Sequence, residues 1–125
     1  MHHPFNILTV DDEPSVAQSL SYVLGGPART LTAAFDGDDA LAQIEAHSPP
    51  FDLIITDNNM PRVSGLELVR LLRAQNFRGK IVILSAYLSE ENRRAYAELS
   101  VDTMLPKPFN VGELRQVIDS LADAA

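Results

Sequence analysis

Five short apolar runs punctuate this chain, and each is followed by one segment of about helix length: 5-FNILTV-10, 30-TLTAAF-35, 52-DLIITD-57, 80-KIVILS-85 and 101-VDTML-105. The first, third and fourth runs lack strict alternation, which suits strands buried on both faces of a parallel sheet. Helical spacing fills the gaps between them. Val16, Leu20, Val23 and Leu24 share a face of 14–24, which Gly25-Gly26-Pro27 stops. Ala40, Leu41 and Ile44 do the same in 37–47, ahead of Ser48-Pro49-Pro50. Leu66, Leu68, Val69 and Leu72 mark 65–75, which ends near Asn76 and Gly79. Ser89-Glu90-Glu91 reads as an N-cap with an acidic first turn leading into 92-NRRAYAEL-99, and Asn110 as the cap of a last helix carrying Leu114, Val117, Ile118 and Leu121. Five consecutive β-then-α units predict an α/β domain, a doubly wound sheet with helices on both faces.

Composition narrows the function classes. The 125 residues fit one domain, spanning 1–125. A net charge of -7, from 17 acidic and 10 basic residues, argues against direct nucleic-acid binding. No apolar run approaches the ~20 residues of a membrane span, so no membrane partner is expected. The start, MHHPFNILTV, lacks a secretory pattern and the chain has no cysteine, which together point to the cytoplasm. His2 and His3, without Cys or carboxylate at ligand spacing, read as a solvated tail.

Sheets of this class place their sites at the carboxyl ends of the strands. The first strand ends in Asp11-Asp12, the third in Asp57 and the fourth in Ser85, and Lys107 follows the fifth. An almost wholly hydrophobic strand that runs into Asp57 demands a partner for that carboxylate. Each residue also has a plainer reading. Asp11-Asp12 before Glu13-Pro14 could cap a helix, Asp57 could sit in a turn, Ser85 could be a strand-end hydroxyl and Lys107 a solvated charge. Taken together, the plain readings require unrelated accidents on one sheet edge in one order. Met60, Leu66 and Leu68 read as core, and Arg93-Arg94 as a solvated helix face.

The segments 7-ILTVDDEPSV-16, 57-DNNMPRVSGLELVR-70, 82-VILSAY-87 and 106-PKPF-109, in this order and spacing, closely resemble the receiver domains of bacterial two-component response regulators. The resemblance implies a flavodoxin-like five-stranded parallel sheet of order 2-1-3-4-5 with five helices. First and third strands would then be neighbours about 4.8 Å apart, crowding Asp11, Asp12 and Asp57 around a cation. It implies Mg2+, with Asp12 and Asp57 as direct ligands, Asp11 through water and the main-chain carbonyl of Asn59 completing the set. Asp57 would be the phospho-acceptor, taking a phosphoryl group from a histidine kinase or histidine phosphotransfer protein. Lys107 would supply a second cation, and Ser85 a hydroxyl that switches the following loop. The Lys107-Pro108 peptide is commonly cis in the family. Such a domain assists its own phosphorylation and dephosphorylation but is not a turnover enzyme; it switches affinity for a downstream protein target or output domain. The chain ends in 119-DSLADAA-125 just after the fifth helix, so it is expected either to signal by protein contact or to belong to something larger. A phosphorylation-dependent homodimer stays open.

One position departs from the family pattern. The aromatic residue usual three positions before the lysine is Met104 here, and Tyr87, two residues after Ser85, is the candidate substitute gate. In the family, the positions of Tyr87 and Asn59 also influence acyl-phosphate hydrolysis. Pro106 lacks a backbone donor and requires the fifth strand to lie at the sheet edge. Three rival functions fit parts of this pattern. A haloacid-dehalogenase-type phosphatase wants a titratable aspartate two residues after the nucleophile, where Asn59 stands. A flavodoxin would need a hydroxyl- or glycine-rich phosphate loop where Asp11-Asp12-Glu13 stands. A docking module of the same fold that is never phosphorylated would not need the intact site, although Met104 keeps it in view.

Overall fold

In the computed structural model, residues 4–47 and 50–124 are described. The tail histidines His2 and His3, the Ser48-Pro49 part of the stop after the second helix and the terminal Ala125 lie outside them. The chain alternates strictly: β1 (Phe5–Val10), α1 (Pro14–Leu24), β2 (Arg29–Ala34), α2 (Gly37–Ala46), β3 (Leu53–Thr56), α3 (Gly65–Ala74), β4 (Lys80–Ser85), α4 (Glu90–Glu98), β5 (Thr103–Pro106) and α5 (Val111–Ala124). All strand pairings are parallel, in the order β2-β1-β3-β4-β5, the flavodoxin-like arrangement.

The continuous apolar runs are explained by two packed faces. Leu8, Val10, Ile54, Ile81 and Ile83 point to one side, where Ala40 of α2, Leu68, Val69 and Leu72 of α3 and Tyr96 of α4 meet them. Their strand neighbours Ile7, Leu53, Ile55, Val82 and Leu84 point to the other, against Leu20 and Leu24 of α1 and Leu114 and Ile118 of α5. Period-two alternation thus survives, with both halves of it apolar. Met60 and Leu68 are buried and Leu66 packs against the first cluster, whereas Arg93 and Arg94 are exposed.

Caps set the helix starts. Asp36, Ser64, Ser89 and Asn110 each accept a hydrogen bond from the backbone N–H three residues on, at 2.7, 3.2, 3.0 and 2.9 Å. Such a cap is worth about 1 kcal/mol. Helix α1 has no side-chain cap and begins instead with Pro14, whose missing N–H costs nothing at that position. Asn76, with φ 62°, turns the chain left-handed after α3.

Strand boundaries differ from expectation by one or two residues. β3 stops at Thr56, which leaves Asp57 just beyond the ladder. β5 begins at Thr103 instead of 101 because Val101 N–H is spent on Tyr96 O, finishing α4, and Asp102 is spent on β4. The Asp102 carboxylate accepts the N–H of Ile81 at 2.8 Å, fixing where β5 enters the sheet. Pro106 lies opposite Ser85 in the last register pair of the edge strand, where no further strand needs its missing donor.

Candidate functional site

Register carries the acidic residues together. Val10 pairs with Thr56, so the next residue on each strand, Asp11 and Asp57, emerges side by side from the middle of the sheet. Carboxylate oxygens of Asp11, Asp12 and Asp57 all lie within 4.8 Å of one another. Asp11 and Asp57 are buried, and Asp12 faces solvent. Among the described residues this is the one group of acidic, His or Cys side chains close enough to share a metal ion. Its donors are all oxygens, the set that suits a hard divalent cation, so the residues fit such an ion.

Lys107 reaches in from beyond β5. Its Nζ lies 2.6 Å from Asp11 Oδ2 and 3.5 Å from Asp57 Oδ1, and its backbone N–H donates to Ser85 O at 3.0 Å. The Lys107-Pro108 peptide is cis. Asp57 Oδ1 also accepts the N–H of Asn58 at 2.9 Å, and Asp11 Oδ1 that of Glu13 at 2.9 Å. The plain reading of Asp11-Asp12 as a helix cap does not hold: α1 has no side-chain cap, and Asp11 Oδ1 accepts the N–H of Glu13, ahead of Pro14, while its other oxygen serves the lysine.

Burial holds the Asp57 carboxyl above the usual carboxylate range; Lys107 opposes this and the charge of Asp11 adds to it. For Lys107, burial alone would lower the pKa, but the hydrogen bond to Asp11 and the charges of Asp57 and Asp11 outweigh it and hold the ammonium above its ordinary value. One ammonium thus meets two members of a cluster of three carboxylates. The site is short of positive charge.

The remaining candidates are dispersed around this centre. Ser85 ends β4, is buried, and donates its hydroxyl to Tyr87 O at 3.0 Å. Tyr87 is 74% exposed. Met104 is partly buried and packs into the cluster beneath α2, α3 and α4. Asn59 is exposed.

Two residues went unnoticed in the sequence. Asn58 is buried, and its Oδ1 accepts the hydroxyl of Tyr96 from α4 at 2.5 Å. Burial and then the charge of Asp57 push the Tyr96 phenol up, with Arg70 opposing, so it is a neutral donor. The available signal was an aromatic residue in the very polar 92-NRRAYAEL-99, where a solvated helix would carry none.

A family model described as "Response regulator receiver domain" matches residues 7–119. The chain is a member of that family. Receiver domains are parts of two-component signalling proteins, not metabolic enzymes. Among curated relatives, this receiver domain is 33% identical to the alkaline phosphatase synthesis transcriptional regulatory protein PhoP of Bacillus subtilis, over 92% of this chain and 47% of that protein. It is 39% identical to response regulator MprA of Mycobacterium ulcerans, over 86% of this chain and 46% of that protein. The chain spans about half the length of the curated relatives it matches. Among solved structures it superposes on Vibrio cholerae chemotaxis protein CheY4 with TM-score 0.84 at 31% identity, covering 95% of this chain and 99% of that one. The receiver domain of Francisella response regulator 1452 gives TM-score 0.82 at 32% identity, with 98% and 100% covered. No helix of the described residues is long and apolar enough to cross a membrane.

Proposed function

We propose that Asp57 accepts a phosphoryl group from a histidine kinase or histidine phosphotransfer protein, and that the whole chain, 1–125, works as one cytoplasmic receiver domain. The observation that carries this reading is the buried Asp57 carboxylate at the end of a central strand, clustered with Asp11 and Asp12 and paired with Lys107. Asn58 N–H and Lys107 both address Oδ1, which fixes the plane of the carboxylate before a donor arrives. The other oxygen or the same one attacks phosphorus; the donor's N–P bond breaks as the O–P bond forms, and the imidazole leaves with the electron pair. Asp11, Asp12, Asp57 and the Asn59 carbonyl are the residues to hold Mg2+, which when bound supplies the positive charge this site lacks.

Lys107 then exchanges part of its pairing with the carboxylates for a phosphoryl oxygen. Ser85 must give up Tyr87 O before its hydroxyl can donate to another phosphoryl oxygen, and that exchange frees the loop carrying Tyr87. Freed and held loops present different faces near α4 and β5, which alters affinity for a downstream protein target or output domain. Tyr87, already exposed, is the gate in this scheme, with Met104 standing where the family's aromatic residue would be.

Intact mass after incubation with Mg2+ and acetyl phosphate tests the reading. One phosphoryl mass is expected, absent without Mg2+ and absent in Asp57→Asn. An adduct that persists in Asp57→Asn would refute the acceptor assignment. No adduct in the native chain, and no response to beryllofluoride, would favour a constitutive docking module.

A further inference from the structure

Asn58 stands at a junction. Its N–H donates to Asp57 Oδ1 at 2.9 Å, its carbonyl accepts Gly65 N–H at 3.0 Å, and its side-chain oxygen accepts the Tyr96 hydroxyl at 2.5 Å. The residues of the last bond are 38 positions apart and both buried, with Tyr96 wholly enclosed. Space is made for it: a Cβ on Gly65 would sit 2.3 Å from Asp57 O and 3.0 Å from the Tyr96 hydroxyl. Any side chain at 65 would displace the acceptor loop or the phenol. One turn further along, α4 is clamped. Arg73 donates to Leu99 O at 2.8 Å and Ser100 O at 2.9 Å, just past the end of the helix. Helix α4 is therefore held at its carboxyl end and attached, through one hydroxyl, to the residue next to Asp57.

We infer that Tyr96 is a positioning residue: through Asn58 it holds the acceptor loop in place and ties α4 to the chemical state of Asp57. The inference rests on the proposed acceptor role of Asp57. A buried Asn58 amide without the phenol is left short of a partner, and its loop relaxes away from the geometry that orients Asp57. In the other direction, a phosphoryl group on Asp57 that shifts Asn58 pulls on Tyr96. With the carboxyl end clamped one turn beyond Tyr96, the amino end of α4 takes up the motion.

The test compares native chain, Tyr96→Phe and the apolar pair Asn58→Leu/Tyr96→Phe. Adduct formation is followed by mass with acetyl phosphate and Mg2+, and the α4 amides by NMR on adding beryllofluoride and Mg2+. Tyr96→Phe is expected to slow adduct formation about tenfold, the worth of one buried hydrogen bond, and to abolish the shift of the Glu90–Glu98 amides. Replacing both partners by apolar groups should restore the melting temperature without restoring that shift. If the α4 response returns along with stability, Tyr96 is only packing and the inference falls. It also falls if Tyr96→Phe responds as the native chain does. A native chain with neither adduct nor response would overturn the acceptor reading itself, and this inference with it.

Discussion

Two aspartate trios stand on the same edge of the sheet, and they are put to different uses. Asp36, Asp38 and Asp39 follow β2, the edge strand; Asp11, Asp12 and Asp57 follow the adjacent central strands β1 and β3. In the first trio, Asp36 caps α2 and meets Arg62 at 3.0 Å, Asp38 faces Arg62 at 3.8 Å, and Asp39 accepts the Gln43 amide at 3.3 Å. Its side chains keep contact with water, Asp36 at 28% and Asp38 at 63% exposed. In the second trio, Asp11 and Asp57 keep 5% and 8% of their side-chain surface and lean on one lysine. Strand order decides the contrast. An acid that follows an edge strand finds water and a helix end, whereas an acid between central strands finds other acids and must have a cation.

That comparison can be pressed experimentally. The largest effect belongs to Mg2+. At a hundredfold excess over its dissociation constant, a single bound ion should stabilise the native chain by about 2.7 kcal/mol. Denaturant midpoints with and without Mg2+ should show Asp12→Asn losing most of this gain and Asp38→Asn keeping it. Next comes the basic partner of each trio. Lys107→Ala strands Asp11 and Asp57 together and should cost about 2 kcal/mol in metal-free chemical denaturation. Arg62→Ala removes an exposed partner and should stay within about 0.5 kcal/mol of native.

Acidity gives a smaller effect of opposite sign. The folded-state pKa of Asp57 is raised, chiefly by burial, so folding favours its protonated form. Its contribution to stability is therefore present below the ordinary value of 3.8 and lost as pH rises through the folded value. Metal-free Asp57→Asn should melt a few degrees above the native chain at neutral pH, and the gap should close as pH falls below that ordinary value. Thermal scans across pH read it directly, and a gap that widened on acidification would contradict the burial account. Smallest is Tyr87→Ala. With 74% of the residue exposed, stability should move by less than about 0.5 kcal/mol, whereas partner affinity of the phosphorylated form should fall. Unchanged affinity would remove Tyr87 from the switch.

Much of this contrast was legible before any coordinates. Unalternating runs at 5–10, 52–57 and 80–85 announce strands covered on both sides, and a carboxylate at the end of such a strand announces a buried acid. The strand order that sets Asp11 beside Asp57 came from resemblance, because β-α alternation is compatible with other orders. Asp102 reads as strand in the sequence because an acid flanked by Val101 and Thr103 mimics a β pattern, while its side chain closes the Ile81 amide. The Asn58–Tyr96 bond could not be read at all. It depends on how α4 is rotated against α3 and the sheet, and no local pattern in either residue's neighbourhood encodes that rotation. Nor does a strand-end serine declare its acceptor, so the Ser85 bond to Tyr87 O emerged only from the fold.

The most direct test of the central claim is to locate the phosphoryl group. The chain is incubated with Mg2+ and acetyl phosphate, reduced with borohydride to convert any acyl phosphate to an alcohol, and digested for peptide mass analysis. A single homoserine at position 57, with Asp11, Asp12 and the trio at Asp36, Asp38 and Asp39 unchanged, is the predicted result. Reduction at any other aspartate, with position 57 intact, would contradict it.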